Sequence, residues 1–214
     1  MILCDREAEL AMDQERILII PRPDPAFMDS TAIDLRLGWT LDKWEFPEPD
    51  RGIGQKEHCF CPGVKGFKFS DIEKKYTKEV AIPEEGYPLP PSFLSNEKTG
   101  PRHFILGWTF EKIYLPHTSR LCARVEGKSS LGRMGLGVHV TAPTIHAGFG
   151  HNNNHPKDHG APLRLEIWNV GPLPILLAKE MRICQLIIEE VREVPKAGYR
   201  GDFNLQGPPP KERA

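Results

Sequence analysis

Between His103 and Val191 the chain reads HFILGWTFEKIYLP, LCARVEG, GVHVTAPTI, LRLEIWNVG and ILLAKEMRICQLIIEEV. These are short β-like segments, each broken by Gly, Pro or Asn, at the spacing of an all-β barrel or sandwich. Nearer the N-terminus AIDLRLG alternates with period two, placing Ile33, Leu35 and Leu37 on one face. Twenty-one prolines and nineteen glycines against 8% aromatic residues favour turns over a helical bundle.

A chain of 214 residues is long enough for a real core and is expected to form one domain, 1–214. REAELAMDQE is predicted to be a short helix capped by Asp5. From 46 to 102 the periodicity dissolves into FPEPD, CPGVKG and GYPLPPSF, with DIEKKYTKEV the only helical pattern. That stretch reads as a loop-rich insertion, which at such length is functional or an interface element. The tail at 195–214 has no apolar period, ends in polyproline and is expected to be flexible until something orders it.

The net charge is −1, so no global attraction draws the chain to nucleic acid or to an acidic membrane surface. PLPILLA, the longest apolar run, is too short to cross a bilayer. MILCDREAEL lacks the signal-peptide pattern. Cys4, Cys59, Cys61, Cys122 and Cys184 are odd in number and lack a disulfide-framework spacing. A soluble, cytoplasmic protein with no nucleic-acid or membrane partner is expected.

Two segments carry chemistry. In VEGKSSLGRMGLGVHVTA a strand ends at Glu126, and Lys128, Ser129, Ser130 and Arg133 then bring two cations and two hydroxyls together. Gly132 and Gly135 let a ligand approach the backbone. The run suits a polyanion; it equally describes a polar turn with solvated charges. In LRLEIWN, Leu163, Leu165 and Ile167 face one way and Arg164, Glu166 and Trp168 the other. Glu166 there is either a proton shuttle beside an aromatic or an exposed strand acid paired with Arg164.

ILCDREAELAMDQERILI with AIDLRLG, FILGWTFEKIYLP with ARVEGKSSLGRMGL and VHVTA, and LRLEIWNVG with the later M, I and QL of MRICQL together resemble the dCTP deaminase branch of the trimeric dUTPase-like family. The resemblance covers the first forty residues and about 104–190, in the family's order. It implies a distorted β-barrel with a short N-terminal helix, assembled as a homotrimer with active sites between subunits. The implied reaction is hydrolytic deamination of dCTP to dUTP and ammonia without zinc, and the chain lacks the H-x-E and P-C-x-x-C pattern of zinc deaminases. The resemblance makes Glu166 the general base and acid. Ser129 and the carbonyl of Ala142 position the water, and Arg133 belongs to the same catalytic set. Lys128, Ser129, Ser130, Leu131, Gly132 and Arg133 bind the triphosphate, with Mg2+ carried by the phosphates rather than held by the protein. Arg164, Leu165 and Glu166 meet the pyrimidine through the strand edge, and Gln185 matches a nucleotide contact in some members.

The family's Ile-Asp-x-Gly-Phe/Trp turn, which meets the deoxyribose, reads here Ile145-His146-Ala147-Gly148-Phe149. Imidazole can hydrogen-bond a sugar hydroxyl but brings no carboxylate, which argues against dUTP hydrolysis. A bifunctional deaminase and dUTP pyrophosphatase, or a diverged non-catalytic nucleotide-binding protein, are the alternatives. His146, His151, His155 and His159 with Asp158 are of metal-ligating type, but no rigid element presents them. They are expected to form a solvated loop near the pocket mouth, with no metal. In the tail Lys196, Tyr199 and Gln206 stand in for the family's phosphate-clasping run. Asp34 and Arg36 are expected to form an ion pair, His139 to be a hydrogen-bonded barrel histidine, and Cys122 and Cys184 to be small apolar strand residues.

Overall fold

The computed structural model describes residues 1–45, 60–94, 103–138, 142–152 and 158–201. The protein is mainly β. Helix α1 (Asp5–Asp13) precedes strands β1 (Leu18–Ile20), β2 (Met28–Asp29) and β3 (Ala32–Trp44). Helix α2 (Phe69–Tyr76) leads into β4 (Thr77–Ala81) and β5 (Tyr87–Leu89). Then come β6 (Phe104–Tyr114), β7 (Leu121–Gly127), the single-turn helix α3 (Ser129–Gly132), β8 (Leu136–Val138) and β9 (Thr144–Ile145). The last strands are β10 (Ala161–Asn169), β11 (Ile175–Leu177) and β12 (Arg182–Glu190).

The large sheet runs β8-β10-β6-β3-β12-β7-β9, curled into a half-barrel, with β1 on β6 and with β2 and β4 on β3. Strands β5 and β11 form a separate pair. Strand β3 is the corner. Ile33–Arg36 pair with β12, while residues from Leu37 onward pair with β6 and β4, across a register break. Ile33, Leu35 and Leu37 point inward and are at most 2% exposed, as their alternation predicts. Each such residue contributes about 1.5–3 kcal/mol on burial.

The register break frees the backbone N–H of Arg36, and Glu111 takes it at 2.8 Å. Glu111, on β6, shares the core-facing parity of Ile105, Thr109 and Ile113 and is fully buried. Its carboxylate also accepts the Arg36 Nε–H at 2.7 Å. The Arg36 guanidinium lies 4.3 Å over the Phe110 ring and donates to Glu180 at 2.7 Å. The Asp34–Arg36 pair expected from sequence does not form. Asp34 is opposite Gln185 on β12 and takes Lys128 and Arg182 instead. Neighbouring charges on one strand face need not pair when bulged partners offer better geometry.

Helix α1 is capped one residue earlier than predicted, and Asp5 is its first residue. Cys4 occupies the N-cap, and the Glu7 carboxylate accepts the Cys4 backbone N–H at 2.8 Å. Ala8, Ala11 and Met12 are buried while Leu10 is exposed. Cys4, Cys61, Cys122 and Cys184 are free thiols. Cys184 is fully buried, and burial pushes its thiol far up, aided by Glu111 and Asp34. It packs as an apolar strand residue, whereas Cys122 is half-buried. No helix among the described residues is long and apolar enough to cross a membrane.

The stretch read as a loop-rich insertion contains regular structure in its described part, 60–94. The segment DIEKKYTKEV divides between α2 and β4, and β4 extends the sheet beside β3. On α2, Phe69, Ile72, Glu73 and Tyr76 share the less exposed side, the i, i+3, i+4 stripe of a packed helix. Tyr76 meets Phe60 edge-on at 5.4 Å, and Phe60 meets Trp44 of β3 at 6.2 Å.

Candidate active site

Strand β7 alternates Leu121, Ala123 and Val125 into the core. The chain then turns once through α3, closed by the Gly132 N–H to Lys128 O bond at 2.9 Å and Arg133 N–H to Ser129 O at 3.1 Å. Ser129, Ser130, Gly132 and Arg133 are exposed, and Leu131 packs partly against the core. Lys128 is not a free cation: its ammonium ion-pairs with Asp34. Gln185 stands beside that pair, opposite both Asp34 and Glu126.

Backbone-to-backbone packing ties this run to β10. Gly135 has φ +92°, and a Cβ there would lie 2.2 Å from the Gly171 nitrogen. A Cβ on Gly171 would lie 1.9 Å from the Met134 carbonyl oxygen. The Val170 N–H donates to Gly135 O at 3.0 Å. The Trp168 ring covers Gly137, where a Cβ would meet it at 2.2 Å. The hydroxyl and cation run is thereby fixed to the strand that carries Glu166.

Glu166 projects from the polar side of β10, half-buried, as period two predicts: Leu163, Leu165 and Ile167 are at most 1% exposed on the other side. Its cross-strand neighbour on β6 is Leu106. Strand β8 pairs with β10 at Ile167–Asn169. Residues 139–141, including His139, lie outside the described residues, and the chain resumes at the exposed Ala142. The Arg164 side chain pairs with acids from other elements. It is buried, stacks 4.2 Å over Trp108, donates to Asp42 at 2.6 Å and ion-pairs with Glu73 of α2. Any contact from this position to a base would come from its backbone, because the side chain is committed.

The turn from Ile145 to Phe149 is closed by the Phe149 N–H to His146 O bond at 3.0 Å, with Phe149 buried. The His146 ring lies exposed and stacked on Tyr199 at 5.3 Å and 14°. The Tyr199 N–H donates to Ala147 O at 2.9 Å. Gly148, at φ +94°, would place a Cβ 2.5 Å from the Tyr199 nitrogen and 2.6 Å from Gly198 Cα. Gly148→Ala is therefore expected to expel 196–201 from this turn and to speed proteolytic cleavage there about tenfold, at a cost of about 1 kcal/mol or more. Limited proteolysis of the purified variant checks this. Lys196 is exposed; Gln206 lies outside the described residues.

The remaining histidines gather elsewhere. The His159 ring stacks on Tyr114 at 4.3 Å and on His151 at 5.0 Å, and His159 Nδ1 accepts the Asn152 N–H at 3.1 Å. Stacked rings do not aim their lone pairs at one point. Among the described residues no three His, Cys, Asp or Glu side chains converge on a metal position, and His155 lies outside them. Tyr114 closes the far end of β6, and Ala161 pairs with Ile113 while Glu166 pairs with Leu106. Five residues of strand, roughly 17 Å, separate the start of β10 from Glu166. The described histidines of this loop pack at that other end rather than beside the acid.

Sequence reasoning overlooked Asp42, Glu73 and Trp108 as neighbours of the Glu166 strand. Period two on β3 could have placed Asp42 on a sheet face, but nothing local in DIEKKY points Glu73 toward β10.

The family model described as dCTP deaminase-like matches residues 2–191. A "dCTP deaminase, dUMP-forming" of Methanosphaera stadtmanae is 31% identical over 198 residues, covering 92% of this chain and 83% of that protein. A "dCTP deaminase" of Rhodospirillum rubrum is 31% identical over 199 residues, covering 93% and 87%. Among solved structures, the 2′-deoxycytidine 5′-triphosphate deaminase of Agrobacterium tumefaciens superposes with a TM-score of 0.55 at 21% identity. That match covers 87% of this chain and 47% of the solved chain, so the protein spans about half the length of its structural neighbour, and the likeness is one of fold. With the family model spanning nearly the whole chain and such relatives matched along their length, the protein belongs to the dCTP deaminase-like family.

Proposed function

We propose that the protein deaminates dCTP hydrolytically, consuming one water and releasing dUTP and ammonia, with Glu166 as the proton shuttle. The observation that carries this reading is the pairing of two features on one rigid unit. A half-buried carboxylate stands on β10, and a hydroxyl and cation run is locked to the same strand through Gly135, Gly171 and the Trp168–Gly137 contact. The names of the relatives supply the substrate class.

In the proposed mechanism the Glu166 carboxylate takes a proton from a water held by the Ser129 hydroxyl and the Ala142 carbonyl. The resulting hydroxide adds to C4 of cytosine, and Glu166 delivers that proton to N3. A second proton passes through Glu166 from the new C4 hydroxyl to the amino group. The C4–N bond breaks, ammonia departs and the C4 carbonyl forms. Arg133 and Ser130 hold the triphosphate with the amide of Leu131, Gly132 leaves room for its close approach, and Lys128 joins them by exchanging Asp34 for phosphate. Leu165 and its neighbours present backbone groups to the base, Gln185 reaches the nucleotide from β12, and Lys196, Tyr199 and Gln206 close over it.

Asp34 is taken up by Lys128 and Arg182, and the exposed run offers hydroxyls and cations rather than a carboxylate cage. That donor set fits Mg2+ carried by the triphosphate. Bound there, the ion neutralises phosphate charge. Assembly is taken to be a homotrimer. Met134, Val170, Leu173 and Leu176 are exposed apolar side chains around the interlocked turns and give such an assembly surface to bury.

The product is proposed to be dUTP rather than dUMP, because His146, stacked on Tyr199, brings no carboxylate to its turn. A second reading, a deaminase that also hydrolyses dUTP, is favoured by the "dUMP-forming" relatives. The test is a product assay with purified protein, Mg2+ and separate dCTP, CTP, dCMP and dUTP, scoring ammonia and pyrophosphate independently. The expected outcome is ammonia from dCTP without pyrophosphate. Stoichiometric pyrophosphate would establish the second reading. No turnover of any nucleotide by a folded protein would overturn both and leave a non-catalytic nucleotide-binding role.

A further inference from the structure

The described charges on the sheet face that bears Glu166 are arranged around Arg164, and the reaction proposed above makes no use of that side chain. Residues Asp42, Leu106 and Glu166 are cross-strand neighbours in one row, and Glu79 on β4 stands opposite Asp42. One row along, Arg164 lies opposite Trp108. Arg164 and Glu166 are two residues apart on a strand, roughly 6.6 Å. The guanidinium is flat on Trp108, and its two terminal nitrogens engage carboxylates from two different elements, Asp42 of β3 and Glu73 of α2. Glu73 and Tyr76 lie on the same side of α2, so the bond to Arg164 brings that side down on this face, where Tyr76, Phe60 and Trp44 pack together.

We propose that Arg164 is the positioning residue of the Glu166 site: it clamps α2 as a wall over the sheet face carrying Glu166 and sets the charge against which Glu166 ionises. This rests on Glu166 being the proton shuttle. A guanidinium stacked on an aromatic and forked between two carboxylates holds a fixed direction, which a lysine ammonium would not. The charged groups that the described elements bring closest to Arg164 on this face are Asp42 from β3, Glu79 from β4 and Glu73 from α2. On β6 the side chains nearest this row are Phe104, Leu106 and Trp108, with Lys112 of the same parity further along opposite Pro162, and α2 leaves Asp71, Lys74 and Lys75 exposed. Arg164 favours ionised Glu166, and the acids oppose it.

The signs give a test that a purely structural role would not pass. Arg164→Met removes the cation and leaves Asp42 and Glu73, so the acid limb of the kcat/KM profile for dCTP is expected to move up by about half a pH unit or more. Glu73→Gln removes an acid and keeps a hydrogen-bond acceptor for Arg164, so the limb is expected to move down by a smaller amount. Arg164→Lys is expected to hold the limb close to the parent's while α2 is cleaved faster by protease, since the charge remains and the fork is lost. All are measured on the full chain with Mg2+, beside Glu166→Gln. Limbs that coincide with the parent's, or that move in the same direction in Arg164→Met and Glu73→Gln, overturn the proposal. If Arg164→Met fails to fold, Glu73→Gln alone decides, because a limb that stays or rises overturns it. An inactive Glu166→Gln beside unmoved limbs sinks the positioning role alone. An active Glu166→Gln sinks the catalytic reading and this inference with it.

Discussion

Glu166→Gln is expected to lower kcat for dCTP by about 10²–10⁴-fold, the range over which a positioned general acid–base acts, with KM little changed. Glutamine keeps the shape and a hydrogen-bonding carbonyl but cannot take a proton from water. The lost interaction therefore belongs to the transition state rather than to ground-state binding. The side chain is half-buried on the polar side of β10, away from the core face of Leu165 and Ile167, so the fold should be unaffected. Steady-state ammonia release, with circular dichroism as the control for folding, measures both. A variant keeping more than a tenth of the parent's kcat would place the proton shuttle elsewhere. In the parent, kcat/KM is expected to fall on the acid side, because a base must be ionised to act.

The largest stability effect is expected at Glu111. Its carboxylate is buried and accepts both the Arg36 backbone N–H and the Arg36 Nε–H. Glu111→Ala would leave the Arg36 Nε–H without its acceptor, the guanidinium under Phe110 with Glu180 alone, and an N–H freed by the register break in β3 unpaired. Removing one partner of a buried pair costs about 3–5 kcal/mol, and the lower end applies here because Glu180 still pairs with the guanidinium. In a chain of this size that lowers the melting temperature by on the order of 10 °C. Glu111→Gln, which keeps an acceptor, should lose much less, and thermal unfolding followed by circular dichroism separates the two. A melting temperature of Glu111→Ala within a degree or two of the parent's would mean that the corner of β3 does not depend on this pair.

Much of the site was legible because the signals are local. Alternation alone put Glu166 on the polar side of its strand. The glycines of KSSLGRMG marked a turn, and two glycines turned out to be indispensable for packing: Gly135, at the end of that run, against Gly171, and Gly137, just beyond it, under Trp168. Glu111 also left a signal that went unread, since it occupies the core-facing parity of Ile105, Thr109 and Ile113, where an acid has to be paired. Other partners left none. Arg164 and Glu166, like Asp34 and Arg36, are two residues apart on one face, and sequence proximity made each couple look like a pair. In the fold Arg164 goes to Asp42 and Glu73, Arg36 to Glu111, and Asp34 to Lys128.

By itself the sequence determined the strands, their apolar faces and the polar run between β7 and β8, because period, punctuation and turn chemistry act over a few residues. Only the tertiary structure decided which charges meet. That choice depends on the bulge in β3, on the register of β6 against β10 and on α2 folding back over the sheet. Each of these brings together side chains far apart in the chain, and a buried ion pair forms where geometry satisfies both partners rather than where the sequence places them side by side.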